Sequence, residues 1–333
     1  MAIILDEIVA NKRLELAEQQ QTVPLAQLEK AALARPAPLD FGAALQGSPG
    51  EVRLIAEIKR ASPSKGPLRP DLDPRALARL YVENGAAAIS VLTERRYFRG
   101  SGEDLRAVKA EISRPEAGPP GIATEETIVG SWCLECRQDA GGPGRTDSSA
   151  ACVAAANHTW SSSTRDRAGV PVLRKDFIFD PYQVVESRAW GADALLLITA
   201  ILPPDQLRAL LGLTHQLGMK ALVETHDAAE VQMAISADAK VIGINNRDLR
   251  SFAVDLATTE KLRHLIPADR LVVSESGISA REDVDRLRQC GVHAVLVGEA
   301  LVKAGDVGVR TRELLSGNAG PYHAGPGHQL SPR

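Results

Sequence analysis

One structural unit of this chain is contained in the stretch DALLLITAILPPDQLRALLGLTHQLGMKALVE (193–224). It begins with a short apolar run, continues through a helical pattern and ends in a second β-prone run. A strand, a helix and a second strand in this order predict a βαβ unit, whose two parallel strands are buried on both faces.

The same alternation recurs along the chain. Eight β-prone runs, most of them followed by a helical pattern, are RLIAEI (53–58), AAISVL (87–92), PVLRK (171–175), DALLLI (193–198), KALVE (220–224), KVIGIN (240–245), LVVSES (271–276) and HAVLVG (293–298). Eight parallel strands close a (βα)8 barrel, or TIM barrel. An open doubly wound sheet usually carries a G-x-G-x-x-G loop, which this sequence lacks. We therefore predict an α/β fold of the TIM-barrel type.

The sequence before the first strand predicts a helical extension of the barrel, over residues 1–50. Two helical stretches are broken there at Pro24. Their apolar positions are Ile4, Ile8, Leu14, Leu16, Leu25, Leu28 and Leu33.

The barrel itself is predicted over 51–111 and 169–317, as a single domain. Residues 112–168, between helix 2 and strand 3, lose all periodicity and are rich in small and polar residues. They predict an irregular, flexible insertion, and residues 318–333 predict a disordered tail. Within the insertion, Cys133, Cys136, Cys152 and His158 offer a zinc site as one reading. A single C-x-x-C with irregular spacing is a weak zinc motif, however, so we expect no metal.

Composition excludes several classes of partner. A net charge of −3 gives no general reason to expect nucleic acid or an anionic membrane. No run approaches the ~20 apolar residues of a membrane helix, and no basic segment precedes the first apolar run, as a signal peptide requires. Three of the four cysteines lie in the predicted insertion, so no disulfide framework spans the chain. We expect a cytoplasmic protein, either a monomer or a weak homo-oligomer.

Polar residues gather at the carboxyl ends of the predicted strands, which is the active-site face of such barrels. These strand ends are Glu57-Ile58-Lys59, Thr93-Glu94, Lys175-Asp176-Phe177, Glu224, Asn245-Asn246-Arg247, Glu275-Ser276-Gly277 and Gly298-Glu299. An isolated strand-terminal charge is usually an ordinary salt bridge. Seven such ends out of eight favour a functional cluster instead. Alternate residues share a side of a strand, so pairs such as Glu57 with Lys59 should face one cavity.

Two lysines, several carboxylates and an arginine around one mouth suit proton transfer on an anionic substrate. Ser276-Gly277 and Gly298 each precede a helical pattern, so their backbone N–H groups predict a phosphate site. The carboxylate of Glu299 is unfavourable beside a phosphate, so we expect only its backbone N–H to contribute.

Seven stretches carry a resemblance to a known family. They are LIAEIKRASPSKGPL (54–68), ISVLTERRYFRGS (89–101), PVLRKDFIFDPYQ (171–183), LVETHD (222–227), IGINNRDL (242–249), VVSESGI (272–278) and VLVGEAL (295–301). In order and spacing this set is similar to the indole-3-glycerol-phosphate synthases, over residues 1–110 and 169–316. The family closes 1-(2-carboxyphenylamino)-1-deoxyribulose 5-phosphate, a small phosphorylated substrate, to indole-3-glycerol phosphate. The resemblance implies a decarboxylating lyase of tryptophan biosynthesis that uses no cofactor.

The resemblance also implies roles for individual residues. Lys175 matches the general acid that protonates the ribulose carbonyl, and Glu224 its partner in dehydration. Lys59 would contact the phosphate, and Arg247 the anthranilate carboxylate. Residues that would orient or contact the substrate are Glu57, Ser62, Asn245 and Glu275. The apolar wall would consist of Phe98, Phe177, Leu196 or Leu197, Leu249 and Leu296. The phosphate site would consist of Ser276, Gly277, Gly298 and Glu299. The division of proton steps among Lys59, Lys175 and Glu224 stays open.

Two alternatives remain at this stage. A barrel that binds a phosphosugar but has lost activity would not need Lys59, Lys175 and Glu224, which are all present. Another phosphate-binding barrel enzyme, such as phosphoribosylanthranilate isomerase, does not account for the AEIKRASPSKG run (56–66).

Overall fold

The computed structural model describes residues 4–113 and 169–316, and its eight parallel strands close into a barrel. In chain order the strands are β1 (Arg53–Ile58), β2 (Ala88–Leu92), β3 (Val172–Lys175), β4 (Ala194–Ile198), β5 (Lys220–Thr225), β6 (Val241–Asn245), β7 (Leu271–Glu275) and β8 (Ala294–Val297). Each strand pairs with the next, and β1 closes the ring against β8, with Ile55 opposite Leu296. The predicted TIM barrel is confirmed.

The two faces of each strand are buried in different cores. On β4, Leu195 and Leu197 belong to the outer core, whereas Leu196 and Ile198 belong to the inner one. Burial on both faces is the reason that the strands read as continuous apolar runs.

The helices are α1 (Ile4–Thr22), α2 (Leu25–Leu33), α3 (Phe41–Leu45), α4 (Pro74–Glu83), α5 (Gly102–Ile112), α6 (Pro181–Trp190), α7 (Pro204–Gln216), α8 (Ala228–Ser236), α9 (Ala257–Arg263), α10 (Arg281–Gln289), α11 (Glu299–Val302) and α12 (Val307–Leu315). Several begin at a side chain that accepts a hydrogen bond from the first turn, as Asp73 does for α4 and Ser101 for α5. No helix within 4–113 or 169–316 is long and apolar enough to span a membrane.

The short helix α3 fills the amino-terminal end of the barrel. Phe41 and Leu45 are fully buried in the inner core, together with Ala88, Ala194 and Ala294 at the starts of their strands. Small residues at these strand starts leave room for the two large side chains. This plug is absent from the sequence-based prediction.

The two helical stretches broken at Pro24 are α1 and α2, but part of the predicted apolar face is wrong. Leu14 is 66% exposed and Leu33 83% exposed, and Leu25 is also exposed, at 44%. The buried positions of α1 are Ile8, Lys12 and Leu16, which share one narrow stripe at intervals of four residues. A lysine, which the apolar pattern did not include, thus occupies the middle of the buried stripe.

The insertion is predicted to begin at residue 112. The structure shows that α5 continues through Ile112 and ends at its cap, Ser113. The rest of the predicted insertion, with Cys133, Cys136, Cys152 and His158, lies outside the described residues, as does the tail 318–333. The chain leaves the described barrel after α5 and returns just before β3. Since β3 begins at Val172, this return is at the amino-terminal face.

Candidate active site

A cavity of about 650 Å³ opens at the carboxyl ends of the strands. This volume lies within the range of ~300–1,000 Å³ usual for small-molecule sites. Every residue that the sequence analysis assigned to the site lines this cavity: Glu57, Lys59, Ser62, Phe98, Lys175, Phe177, Glu224, Asn245, Arg247, Leu249, Glu275, Ser276, Gly277, Leu296, Gly298 and Glu299. Of the two leucines considered on β4, Leu196 lines the cavity, and Leu197 lies in the outer core.

Lys175, the last residue of β3, lies between two buried carboxylates. Its Nζ is 2.7 Å from Oε2 of Glu275 and 3.0 Å from Oε2 of Glu224. Burial acts to lower the pKa of Lys175, but Glu224, Glu275 and Glu57 outweigh it and raise that pKa above its ordinary value. The lysine is therefore an ammonium ion that can donate a proton into the cavity.

The two carboxylates beside Lys175 differ in their environments. The second oxygen of Glu224, Oε1, accepts a hydrogen bond from Asn245 (3.1 Å) and lies 3.3 Å from Nε2 of His226. Burial raises the pKa of Glu224, but Lys175 and His226 outweigh it and lower that pKa. For Glu275, burial and the nearby charge of Glu224 outweigh Lys175 and raise the pKa.

A second ion pair lies on β1. Nζ of Lys59 is 2.6 Å from Oε1 of Glu57, and both side chains are largely buried. The hydroxyl of Ser62 lies in a short antiparallel hairpin that follows β1, formed by Ala61–Ser62 and Gly66–Pro67. This hydroxyl is buried and has no hydrogen-bond partner among the described residues, so it is free to bind a polar group of a ligand.

An unusual backbone conformation marks the part of the cavity that follows β7. Ser276 and Gly277 have φ angles of 66° and 81°, in the left-handed region. This conformation is unfavourable for serine and typical of functional loops. Asn246 holds the loop from behind, because its Nδ2 donates to the carbonyl of Glu275 (2.9 Å) and to that of Ser276 (3.1 Å). Consecutive left-handed residues expose backbone N–H groups of the kind that bind phosphate.

Apolar side chains form the remaining wall. The rings of Phe98 and Phe177 are 6.3 Å apart between centroids, and they tilt by 40°. Leu196 and Leu296 line the same cavity from β4 and β8. The site thus combines an apolar wall with two consecutive left-handed backbone residues and an ammonium ion between carboxylates.

Comparisons with known proteins identify the family. The family model for indole-3-glycerol phosphate synthase matches residues 5–118 and 160–314. Two curated relatives with that name are from Dehalococcoides mccartyi (43% identical over 314 residues, 94% of this chain and 100% of the relative) and Roseiflexus sp. (44% over 320 residues, 96% and 100%). A third, from Acetivibrio thermocellus, is 38% identical over 314 residues, which are 93% of this chain and 98% of the relative. The chain belongs to the indole-3-glycerol phosphate synthase family.

Two strand-end residues, Glu94 and Asp176, have carboxylates that are bound by other residues of the protein. Glu94 accepts hydrogen bonds from the backbone of Arg96, Tyr97 and Phe98, so it shapes the loop that presents Phe98. Asp176 accepts one from Thr93 (2.6 Å) and pairs with Lys12 of α1 (3.1 Å). In this member of the indole-3-glycerol phosphate synthase family, these carboxylates hold neighbouring parts of the site in place through their contacts with the Phe98 loop and with α1.

Sequence reasoning missed several residues that line the cavity: Ile4, Leu5, Ile8, Ser64, Lys65, Phe252 and Lys303. The first three come from α1, which lies over the mouth of the barrel. The apolar pattern of α1 marked Ile4 and Ile8 as packed positions, but it contained no signal that they face a ligand site. Lys303 binds Glu299 (2.6 Å), and this interaction occupies the carboxylate that was expected to turn away from a phosphate.

Within 4–113 and 169–316, no group of three or more His, Cys, Asp or Glu side chains is arranged to hold a metal ion.

Proposed function

We propose that this chain catalyses the ring closure of 1-(2-carboxyphenylamino)-1-deoxyribulose 5-phosphate to indole-3-glycerol phosphate, with loss of CO2 and water. This is a carbon–carbon lyase reaction. The observation that carries the proposal is the position of Lys175, which is charged and held by Glu224 and Glu275 at the floor of a cavity with both apolar and anion-binding walls.

Ring closure needs a proton at the ribulose carbonyl oxygen as the aromatic carbon that bears the carboxylate attacks the carbonyl carbon. The Lys175 ammonium supplies this proton. The bond to the carboxylate then breaks, CO2 leaves, and the electron pair restores the aromatic ring. An ammonium ion close to the reacting carbonyl also stabilises negative charge that develops there, and the effect is strongest in a site that excludes water.

The last step removes water from the closed ring. The hydroxyl leaves with a proton, and the carbon beside the ring nitrogen gives up another. Glu224 lies on the same side of the cavity as Lys175, 3.0 Å from its Nζ, so the two groups can exchange protons between steps.

The walls of the cavity match the other parts of this substrate. Its phosphate fits the end formed by Lys59 and the backbone of Ser276, Gly277 and Gly298. Its aromatic ring fits against the apolar wall that includes Phe98 and Phe177, and Arg247, which lines the same cavity, would bind its carboxylate. Each charged group of the substrate then has a basic or N–H partner.

The test is turnover by the purified full-length chain, followed by the fluorescence of the indole product. We expect turnover without added metal and equal rates with and without EDTA, because every proposed proton donor or acceptor is a side chain. Phosphoribosylanthranilate serves as the control substrate and should not react. A folded protein that leaves the anilino-ribulose phosphate unchanged would contradict the proposal, and inhibition by EDTA would contradict the absence of a metal.

A further inference from the structure

Glu224 is held from two sides by different cations. Its Oε2 is 3.0 Å from Nζ of Lys175, inside the cavity. Its Oε1 is 3.3 Å from Nε2 of His226, which is largely buried and does not line the cavity. His226 therefore contacts a proposed catalytic group without reaching the substrate.

The far side of His226 is fixed by Glu230 in the first turn of α8. Nδ1 of His226 is 2.9 Å from Oε2 of Glu230, and the same oxygen accepts the backbone N–H of His226 at 2.7 Å. The hydroxyl of Thr199 donates to this carboxylate as well, at 2.7 Å. These contacts leave the Glu230 carboxylate little freedom to turn, so it anchors the imidazole.

Both ring nitrogens of His226 thus face carboxylates. Nδ1 lies within hydrogen-bond distance of Glu230, whereas Nε2 is buried without a hydrogen-bond partner among the described residues and faces Glu224 at ion-pair distance. A neutral imidazole carries only one N–H, so only an imidazolium presents an N–H toward each of the two carboxylates. Burial acts to lower the pKa of His226, but Glu224 and Glu230 outweigh it and raise that pKa to about 10. Geometry and electrostatics agree on a charged His226 at neutral pH.

The presence of a second cation, His226, distinguishes Glu224 from the neighbouring Glu275. The groups that face Glu224 are Lys175 from β3, Asn245 from β6, Glu275 from β7, and His226 with Glu230 behind it. Glu57 from β1 acts on Lys175 and Glu275. One ammonium ion, on Lys175, serves Glu224 and Glu275 together. Oε1 of Glu275 has no hydrogen-bond partner among the described residues, whereas Oε1 of Glu224 has Asn245 and lies within ion-pair distance of His226.

We propose that His226, anchored by Glu230, is a positioning residue that keeps Glu224 ionised and turned toward Lys175, so that Glu224 is the proton acceptor in the loss of water. This inference rests on the proposed function. It assigns an electrostatic role to a histidine outside the cavity, and it separates the tasks of the two carboxylates beside Lys175.

His226→Gln tests the inference, because glutamine keeps an N–H donor and removes the charge. We expect kcat at pH 7 to fall by about 10-fold or more, with KM changed less than about twofold. The pH profile is the decisive readout. A carboxylate that loses a neighbouring cation becomes easier to protonate, so activity should be lost at a higher pH on the acid side than in the unmodified protein. Glu230→Gln should shift the acid limb of the pH profile, where activity is lost as the pH falls, in the same direction but by a smaller amount.

The control is His215→Gln, at an exposed histidine near the end of α7, which should leave kcat and the pH profile unchanged. Melting temperatures of all variants show whether they fold. If His226→Gln does not fold, Glu230→Gln carries the same test. An acid limb that stays in place, even with lower kcat, would overturn the inference, since a purely structural role lowers activity at every pH.

A measurement that needs no turnover separates this inference from the proposed function. The ¹⁵N resonances of the His226 ring, assigned by their loss in His226→Gln, should be those of imidazolium at pH 8. Resonances of a neutral ring at pH 7 would overturn the charged bridge, whether or not the chain converts the anilino-ribulose phosphate.

Discussion

A Cβ atom on Gly298 would lie 2.3 Å from Oε1 of Glu57. Real Cβ contacts essentially never come below 3.0 Å, so the missing side chain is what allows this carboxylate to lie against the end of β8. Gly243 has the same relation to Glu275, again at 2.3 Å from Oε1. Two of the three carboxylates around Lys175 therefore depend on a glycine, which lies within the adjacent strand or at the end of it. Glycine is commonly found where another group must approach the backbone closely.

Gly298→Ala should consequently disrupt the site while the fold remains. The φ of Gly298, −124°, lies outside the left-handed region that favours glycine, and the added methyl group would meet the Glu57 side chain. The methyl group would displace Glu57 from its ion pair with Lys59, and we expect kcat/KM to fall by about 10-fold or more. The matched control is Gly212→Ala in α7, where the new Cβ meets nothing within 4 Å. It should keep full activity and gain about 0.5–1 kcal/mol of stability. Normal kinetics in Gly298→Ala would contradict the argument.

Lys175→Ala should reduce kcat by about 100-fold or more, which is the usual scale for a positioned general acid. Lys59→Ala should raise KM as well as lower kcat, because this lysine lies toward the proposed phosphate end. Steady-state kinetics on both variants separate the two effects, with the exposed Lys261→Ala as the control. A Lys175 variant with near-normal kcat would show that another group donates the proton.

The ion pair between Lys12 and Asp176 should appear in the pH dependence of stability. Burial raises the pKa of Asp176, but Lys12 and Arg174 outweigh it and lower that pKa to about 2, from an ordinary value of 3.8. A depressed carboxylate pKa contributes stability that is present above pH 4 and is lost as the pH falls toward 2. Lys12→Met removes a buried partner, so it should cost about 3 kcal/mol at pH 7.

Urea unfolding at pH 7 and at pH 3.5 measures this effect. The difference in unfolding free energy between Lys12→Met and the unmodified protein should be smaller at pH 3.5. Loss of Lys12 raises the pKa of Asp176 in the variant, so the variant can relieve its unpaired buried carboxylate by taking up a proton, whereas Asp176 of the unmodified protein stays ionised at this pH. Lys261→Met, which also loses one positive charge, is the control and should change stability little at either pH. A difference that is independent of pH would mean that the packing of the lysine stem, and not its charge, stabilises α1.

The barrel and its floor were predictable from sequence for a physical reason. Strands that are buried on both faces show continuous apolar runs, and parallel strands bring their carboxyl ends to one edge. Lys175 and Glu224 could therefore be assigned to one cavity from their positions alone. The alternation of side chains along a strand also explains why Asp176, next to Lys175, has its carboxylate on the opposite side.

Other features depend on contacts that local pattern does not encode. Phe41 and Leu45 plug the barrel because the starts of distant strands happen to carry alanines. Ile8 lines the cavity because α1 crosses the mouth, and α1 is held there partly by the buried charge of Lys12, which the apolar pattern treated as a surface residue. Long-range packing of this kind appears only once the whole chain is assembled.

Residues 114–168 are expected to be dispensable for catalysis. They join α5 to β3, and β3 begins at the amino-terminal face, whereas the cavity is at the carboxyl ends of the strands. The family match supports the same expectation for the middle of this segment, because it covers 5–118 and 160–314 and leaves 119–159 outside. A connection on that face serves stability, while the loops at the opposite face hold the site.

Replacing 114–168 with a short polar turn tests this expectation. Each doubling of a flexible loop costs only about 0.6 kcal/mol in closure entropy, so shortening should change the free energy of unfolding modestly and in the stabilising direction. Apolar pieces such as TIVGSWCLE (127–135) favour aggregation when they are unpacked, so solubility should improve in the shortened protein. We expect an unchanged kcat and an equal or higher melting temperature. A shortened protein that folds, as judged by circular dichroism, but loses activity would show that these residues contribute to the site, since β3 and its Lys175 would still be in place.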